Sequence, residues 1–313
     1  MQAEPRRVEH GISIDAPAEV IYRLIIGVED WPTVFPPTVH VECLERSGDS
    51  ERIRIWATAN GSVKTWISRR EFDHERRQVT FRQEVSAPPV AAMGGQWVVE
   101  PTSASTSRVR LYHDYRAVND DPEGLAWIEA AVDRNSQAEL AALSAAATRT
   151  ADDRELMLSF EDSISVPGRA EDVYDFLNRA DLWPQRLPHV AEVALQEDVP
   201  GQQLLEMTTE AADGSVHTTT SIRICSPHDR IIYKQIGLPA LMELHTGCWS
   251  VRGTETGVFV TSQHTVIIRR ENIEPILGAG ADSAQARAFI RNALGTNSRA
   301  TLQHAKQYVE QRV

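Results

Sequence analysis

Trp66, Ser68 and Arg70, spaced two apart, are the residues of this 313-residue sequence whose types and order could do chemistry. If 63–72 is a strand, its side chains alternate between two faces, so these three share one face and Ile67 and Arg69 the other. An aromatic surface, a hydroxyl and a guanidinium in one row suit a wall that stacks a planar ligand and stabilises charge developing on its oxygen. Further along, Thr219, Ser221 and Arg223 stand in the same places. His113 and His264 follow Trp97 and Trp249 by 16 and 15 residues on late strands, and imidazole titrates in the range useful for acid or base work. Trp31 and Phe35, then Trp97, add aromatic surface that serves either core packing or ligand lining; Trp183 and Trp249 repeat two of them.

These recurrences belong to a longer series. Tyr22 pairs with Tyr174, Trp31 with Trp183, Pro32 with Pro184, Pro36 with Pro188 and Trp97 with Trp249, each at an offset of 152. The run Gly61, Ser62, Val63 meets Gly214, Ser215, Val216 at 153, as do Ser68 with Ser221 and Arg70 with Arg223. Asn135 and Ser136 meet Asn297 and Ser298 at 162, and so does Leu140 with Leu302. A collinear series this long implies tandem duplication. Its period is far beyond the roughly 20 to 50 residues of stacking repeats, so each copy should be a complete domain. The boundary is expected in the polar stretch 148–153, giving domains at 1–150 and 154–313.

Each copy has the same expected order. An alternating strand (8–14; 158–166) runs into a helix with a proline in its first turn, and Asp-Trp-Pro or Leu-Trp-Pro breaks that helix. Several β-rich runs follow, among them 51–59, 62–72, 77–85, 96–101 and 107–118, and each copy closes on a long Ala- and Leu-rich helix, 123–147 or 282–311. One strand, small helices, about six further strands and a terminal helix suggest an α+β fold, a curved antiparallel sheet gripping the last helix. A single helix cannot fill such a sheet, so a cavity should remain between them.

Composition narrows the ligand. With 42% hydrophobic and 24% charged residues the chain is ordinary globular protein. Its 44 acidic against 32 basic residues give a formal charge of -12, which opposes nucleic acid and anionic membrane as partners. No window approaches the roughly 18 apolar residues of a membrane span, and the first fifteen residues lack a signal-peptide core, so a soluble cytoplasmic protein is expected. Cys43, Cys225 and Cys248 are odd in number and far apart, and the ten histidines show no metal-ligand spacing. No GxSxG, HExxH or Walker A motif is present, and Gly278-Ala279-Gly280-Ala281-Asp282 reads as a hinge. No metal and no cofactor are expected.

The combined pattern resembles the bacterial aromatase/cyclases of aromatic (type II) polyketide synthases, helix-grip proteins related to the START and birch-pollen-allergen folds. The resemblance spans nearly the whole chain, because two-domain members are fused pairs of this unit. The family's Trp-x-x-x-Phe is Trp31 and Phe35 here, its Trp-x-Ser-x-Arg is Trp66, Ser68 and Arg70, its Gly-x-Trp is Gly95 and Trp97, and its pocket asparagine is Asn135. Copy two keeps Trp183, Ser221, Arg223, Gly247, Trp249 and Asn297 but departs at Leu187 and Thr219. Both copies lack the tyrosine that some single-domain members carry three residues after the Phe, having Thr38 and Val190.

The resemblance implies two tandem helix-grip domains acting on a poly-β-ketone held by an acyl carrier protein, beside other synthase subunits. The first ring would close by aldol addition between carbons seven and twelve and then lose water. Arginine is too basic to act as a base, so Arg70 and Arg223 would stabilise an enolate or alkoxide. Proton movement would fall to water held by Ser68 or Ser221, or to His113 and His264. The tryptophans, Phe35 and the two asparagines would wall the substrate. The richer aromatic lining of copy one favours it for folding and cyclisation, and copy two for dehydration. The rival is a non-enzymatic carrier of a hydrophobic ligand. A carrier needs no buried arginine, so inward-facing Arg70 and Arg223 would favour the enzyme.

Overall fold

The computed structural model describes residues 4–59, 62–210, 214 and 216–312; Gly61 and Ser215 of the repeated Gly-Ser-Val run lie outside them. The chain divides into two compact units, Met1–Arg149 and Thr150–Val313. The second unit starts ahead of the expected 154. Thr150 and Asp153 form a reciprocal capping box, which turns that polar stretch into the short helix Ala151–Glu155.

Unit 1 contains β1 (Arg6–Ile14), α1 (Ala18–Ile26), α2 (Trp31–Val34), β2 (Thr38–Ser47), β3 (Ser50–Ala59), β4 (Ser62–Asp73), β5 (Gln78–Val85), β6 (Val90–Pro101), β7 (Ser107–Ala117) and α3 (Pro122–Ala147). Its seven strands form one antiparallel sheet in the order β1-β7-β6-β5-β4-β3-β2, so β1 closes against the last strand of the meander. Unit 2 repeats the plan. After α4 (Ala151–Glu155) come β8 (Met157–Val166), α5 (Ala170–Asn178), α6 (Trp183–Arg186), β9 (Val190–Val199), β10 (Gln202–Glu210), β11 (Val216–Ser226), β12 (Arg230–Gly237), β13 (Met242–Thr254) and β14 (Gly257–Ile268). Two helices follow, α7 (Ile273–Leu277) and α8 (Ser283–Glu310), and the sheet order is β8-β14-β13-β12-β11-β10-β9. Each unit is therefore the expected helix-grip arrangement. The insertion of α7 and the Gly278–Gly280 loop accounts for the change of repeat offset from 152 to 162.

Local sequence explains the elements that frame each cavity. Asp121 caps α3 through the Gly124 amide with Pro122 in the first turn, and Asp282 caps α8 in a box with Gln285. The buried face of α3 is Ile128, Ala131, Val132, Ser136, Leu140 and Leu143, a 3–4 residue spacing that seats it on the sheet. The tryptophan at each helix break starts a short helix rather than ending one, and Pro17 serves as the N-cap of α1 instead of lying in its first turn. β4 alternates as expected, with Ser68 and Arg70 buried and Arg69 and Glu71 exposed. In both units the register slips at the motif serine, between Ile67 and Ser68 and between Thr220 and Ser221. Such bulges bend a strand, here where the sheet must curve round its helix.

Candidate active sites in the two units

Arg70 and Arg223 both lie inside, 1% and 2% exposed, but in different electrostatic settings. Arg70 Nη1 donates to Glu51 Oε1 at 2.6 Å and Nη2 to the Ile25 carbonyl at 2.6 Å. Its guanidinium lies 4.8 Å from the Trp31 ring and 5.2 Å from Phe72. Glu51, fully enclosed, also accepts from Arg46 at 2.8 Å. Burial lowers Arg70 to about 10, against the attraction of Glu51, and it stays a cation at neutral pH. This is a compensated buried ion pair, and Arg70 is not among the residues lining the unit 1 cavity.

Arg223 keeps only half of that arrangement. Its Nη2 donates to the Leu177 carbonyl at 2.6 Å and its guanidinium lies 5.3 Å from Trp183. Register places Gln203 opposite Arg223 as it places Glu51 opposite Arg70, so the carboxylate has become a neutral amide. Arg223 Nη1 is buried without a protein partner among the described residues, and Arg223 lines the unit 2 cavity.

The unit 1 cavity is mainly apolar. Trp31, Trp66, Trp127, Ile128, Val90 and Met93 line it together with His113, Asn135, Ser136, Lys64 and Glu139. Asn135 ties α3 to the sheet through the Thr58 carbonyl at 3.2 Å. Burial, helped by nearby His10, lowers His113 to about 4, and its Nδ1 has no partner among the described residues. Burial pushes the Glu139 carboxyl up to about 7. Of the residues singled out in the sequence, Trp31, Trp66, His113 and Asn135 meet in this cavity. Ser68, Phe35 and Trp97 do not line it. Ser68 donates to the Arg82 carbonyl at 3.1 Å, and Phe35 stacks on Trp97 in the core at 6.2 Å.

The unit 2 cavity gathers all six residues expected of it: Trp183, Ser221, Arg223, Trp249, His264 and Asn297. It also holds a polar cluster that sequence reasoning missed. His264 Nδ1 lies 2.9 Å from Tyr233 Oη and 3.0 Å from His245 Nε2, and its Nε2 lies 2.7 Å from Ser298 Oγ. Burial holds both imidazoles neutral, His245 at about 3 and His264 at about 4, and raises the Tyr233 phenol. Tyr233 faces Gly247 across the strands as Phe81 faces Gly95, and each of these glycines also faces the late-strand histidine. A Cβ on Gly247 would collide with the Tyr233 ring and hydroxyl, and one on Gly95 with the Phe81 ring and the Tyr112 carbonyl. The glycine of each Gly-x-Trp is thus what lets an aromatic ring lie over the strand beside the histidine.

Known proteins match this architecture in sequence and in shape. Residues 5–148 match the family described as polyketide cyclase / dehydrase and lipid transport. The granaticin polyketide synthase bifunctional cyclase/dehydratase of Streptomyces virginiae is 48% identical over 300 residues, covering 94% of this chain and 97% of that one. The actinorhodin polyketide synthase bifunctional cyclase/dehydratase of Streptomyces coelicolor is 47% identical over 309 residues, covering 96% and 95%. The crystal structure of the di-domain aromatase/cyclase BexL from the BE-7585A biosynthetic pathway superposes with a TM-score of 0.88 at 56% identity, over 97% of this chain and 99% of that one. StfQ, from the steffimycin pathway, gives 0.87 at 35% identity over the same shares. The chain belongs to the two-domain aromatase/cyclases of type II polyketide synthases.

Within this aromatase/cyclase the surface arginine clusters are paired with acids. Arg69 meets Glu84 at 2.9 Å, Arg76 Asp73 at 3.4 Å and Arg77 Glu19 at 3.5 Å, while Arg269 and Arg270 meet Glu271 and Asp153 at 3.6 and 3.2 Å. No helix among the described residues is long and apolar enough to cross a membrane, and no three His, Cys, Asp or Glu side chains among them converge as metal ligands.

Proposed function

We propose that this protein folds a poly-β-ketone carried on an acyl carrier protein, closes its first ring by aldol addition between carbons seven and twelve, and drives loss of water to the aromatic ring in antibiotic biosynthesis. It would act in the cytoplasm beside the other synthase subunits. The observation that carries the reading is Arg223, a buried guanidinium that lines a cavity with one nitrogen unpartnered and no carboxylate opposite it. Leaving a charge in that state costs several kcal/mol, which a carrier of greasy ligands has no use for. An enolate or alkoxide oxygen forming beside it would receive a preorganised donor, the kind of contact worth about 10²–10³ in rate.

The other residues fit the same task. Trp183 and Trp249 in unit 2, and Trp31, Trp66 and Trp127 in unit 1, supply flat walls that select one folded conformer of a chain able to cyclise in several registers. Ser221 and Asn297 add polar contacts beside Arg223. Arg70, neutralised by Glu51, serves unit 1 by fixing the helix break to the sheet; His113 and Glu139 are the groups there placed to move a proton. Aldol addition and dehydration are redox-neutral and need no cofactor.

The test is product profiling of a minimal aromatic polyketide synthase, with and without a ketoreductase, combined with wild-type protein, Arg223→Ala or Arg70→Ala. The reading expects one defined ring from wild type and shunt products from Arg223→Ala. Wild type that leaves the profile unchanged would return the protein to the carrier class.

A further inference from the structure

Among the described residues, three buried polar atoms without a protein partner belong to residues lining the unit 2 cavity: Arg223 Nη1, Gln235 Oε1 and His245 Nδ1. They stand on successive strands, β11, β12 and β13. A donor, an acceptor and an imidazole nitrogen match the groups of a β-diketone passing between its keto and enol forms. The cavity of unit 1 offers no such set. Matched through the strand register, Met93 stands where unit 2 has His245, Phe81 where it has Tyr233, and Arg70 is paired where Arg223 is free.

We infer that His245 is the base that generates the enolate in unit 2, with His264, Tyr233 and Ser298 as positioning residues that orient its ring and share its proton. This deepens the cyclase reading and rests on it. His264 itself has no nitrogen to offer a ligand, since Nδ1 is taken by Tyr233 and His245 and Nε2 by Ser298 and by Ser262 at 3.2 Å. The network also assigns the tautomers. Tyr233 needs an acceptor for its hydroxyl and finds His264 Nδ1, so His264 carries its hydrogen on Nε2, toward Ser298. His245 then carries its hydrogen on Nε2, shared between the Tyr233 oxygen at 3.5 Å and the same His264 Nδ1 lone pair at 3.0 Å, and its Nδ1 holds a bare lone pair. The opposite tautomer would bury an N–H with no acceptor, the costlier error.

The step balances without a co-reactant. A methylene proton between two carbonyls passes to His245 Nδ1, and the C–H electron pair becomes the enolate, its oxygen against Arg223. Burial keeps the resting His245 neutral, so the imidazolium exists only beside the enolate that offsets its charge, and that charge is spread over the hydrogen-bonded His245–His264 pair. The enolate carbon then bonds to a ketone carbon, and the alkoxide formed takes the proton back. This places ring closure in unit 2 and reverses the division expected from aromatic lining alone.

The test separates proton abstraction from the rest of the reaction. Benzoylacetone, a β-diketone with one aromatic end, is incubated with the full chain in heavy water, and exchange of its methylene protons is followed by NMR, with binding read from tryptophan quenching. Wild type should catalyse saturable exchange. His245→Met, which copies Met93 of unit 1, should lower the maximal exchange rate by about 10²-fold while the dissociation constant stays within about threefold. Tyr233→Phe, which copies Phe81, should lower the rate about tenfold at unchanged affinity, a split that a purely structural role would not give. Wild-type exchange rates in His245→Met, or wild type that binds the diketone without accelerating exchange, would overturn the assignment of the base while leaving the cyclase reading to the product profile. Wild type that neither binds the diketone nor alters synthase products would remove both.

Discussion

Replacing Glu51 by Gln removes from unit 1 the carboxylate that unit 2 lacks directly opposite its arginine, and its cost can be worked from the contacts. Arg70 would lose its carboxylate at 2.6 Å while remaining 1% exposed, with no route to water. Removing one partner of a buried pair costs about 3–5 kcal/mol, because the remaining charge is left uncompensated. The Ile25 carbonyl at 2.6 Å and the rings of Trp31 and Phe72 stay in place and hold part of that charge, so the lower end, about 3 kcal/mol, is expected. At about 1.4 kcal/mol per decade, the β3 and β4 amides of unit 1 should then exchange roughly 10²-fold faster. Peptide-resolved hydrogen exchange reads unit 1 separately from unit 2, which a single denaturation midpoint of a two-unit chain does not. The double variant Glu51→Leu with Arg70→Met, which removes both charges, should regain most of the loss. If Glu51→Gln alone changes β3 and β4 exchange by less than about threefold, Arg70 is not held by Glu51, and the contrast drawn between the two arginines fails.

The reciprocal change, Gln203→Glu, should cut defined-ring formation at least tenfold by neutralising Arg223; because Gln203 Nε2 donates to Glu197 at 2.8 Å, the new carboxylate also meets a like charge and unit 2 should gain little stability, and a fully active variant would contradict the role given to Gln203. Gly247→Ala should drive the Tyr233 ring off His264 and lose most ring formation, and it should cost about 2 kcal/mol or more of unit 2 stability by urea denaturation, as overpacking does. For His245, held at about 3 by burial and the neighbouring His264, the unfolded imidazole takes up a proton that the folded one refuses. Its contribution is therefore complete above about pH 6.5 and shrinks as pH falls toward the folded value, by about 2 kcal/mol at about pH 5. His245→Met should accordingly gain about that much on wild type between about pH 7 and about pH 5, and parallel curves would show the imidazole to be solvated.

Much of this was readable in the sequence because the readable parts depend on short-range periodicity. The alternation of β4 put Trp66, Ser68 and Arg70 on one shared face, and the collinear matches between copies located Trp183, Ser221, Arg223, Trp249 and Asn297, which all reach one cavity. Partners across strands were not readable. Nothing near Arg70 in sequence points to Glu51, nineteen positions earlier, or tells that the matching residue, Gln203, lacks the charge. His245 stands two residues before Gly247 in His-Thr-Gly-Cys-Trp, where unit 1 has Met-Gly-Gly-Gln-Trp, so a side-by-side reading of the Gly-x-Trp strands carried a signal for it. Trp127 and Glu139 sit on a helix whose repeat match is sparse, and helix phase alone does not tell which of its faces meets a void rather than packed side chains.

The duplicated cavities show why a motif match between copies does not transfer a role between them. An arginine can be buried for two physical reasons: to tie structure together, which demands a compensating carboxylate, or to meet a charge that exists only during reaction, which demands that no carboxylate be there. The two states share the same Ser-x-Arg on the same strand and differ at the residue directly opposite it, Glu51 or Gln203, and in what holds that residue, Arg46 at 2.8 Å or Glu197 at 2.8 Å. The histidines divide in the same way. His113, beside Phe81 and Met93, has no partner for its Nδ1 among the described residues, whereas His264, beside Tyr233 and His245, is the centre of a hydrogen-bonded chain. Each difference sits opposite the motif rather than within it. Placing those residues in unit 1, Glu51→Gln with Phe81→Tyr and Met93→His, should therefore confer part of the diketone proton exchange, through the new imidazole alone, because Arg70 does not line the unit 1 cavity. The background for that measurement is the His245→Met chain, in which unit 2 exchange is removed, and a gain of about tenfold over it is the expected result.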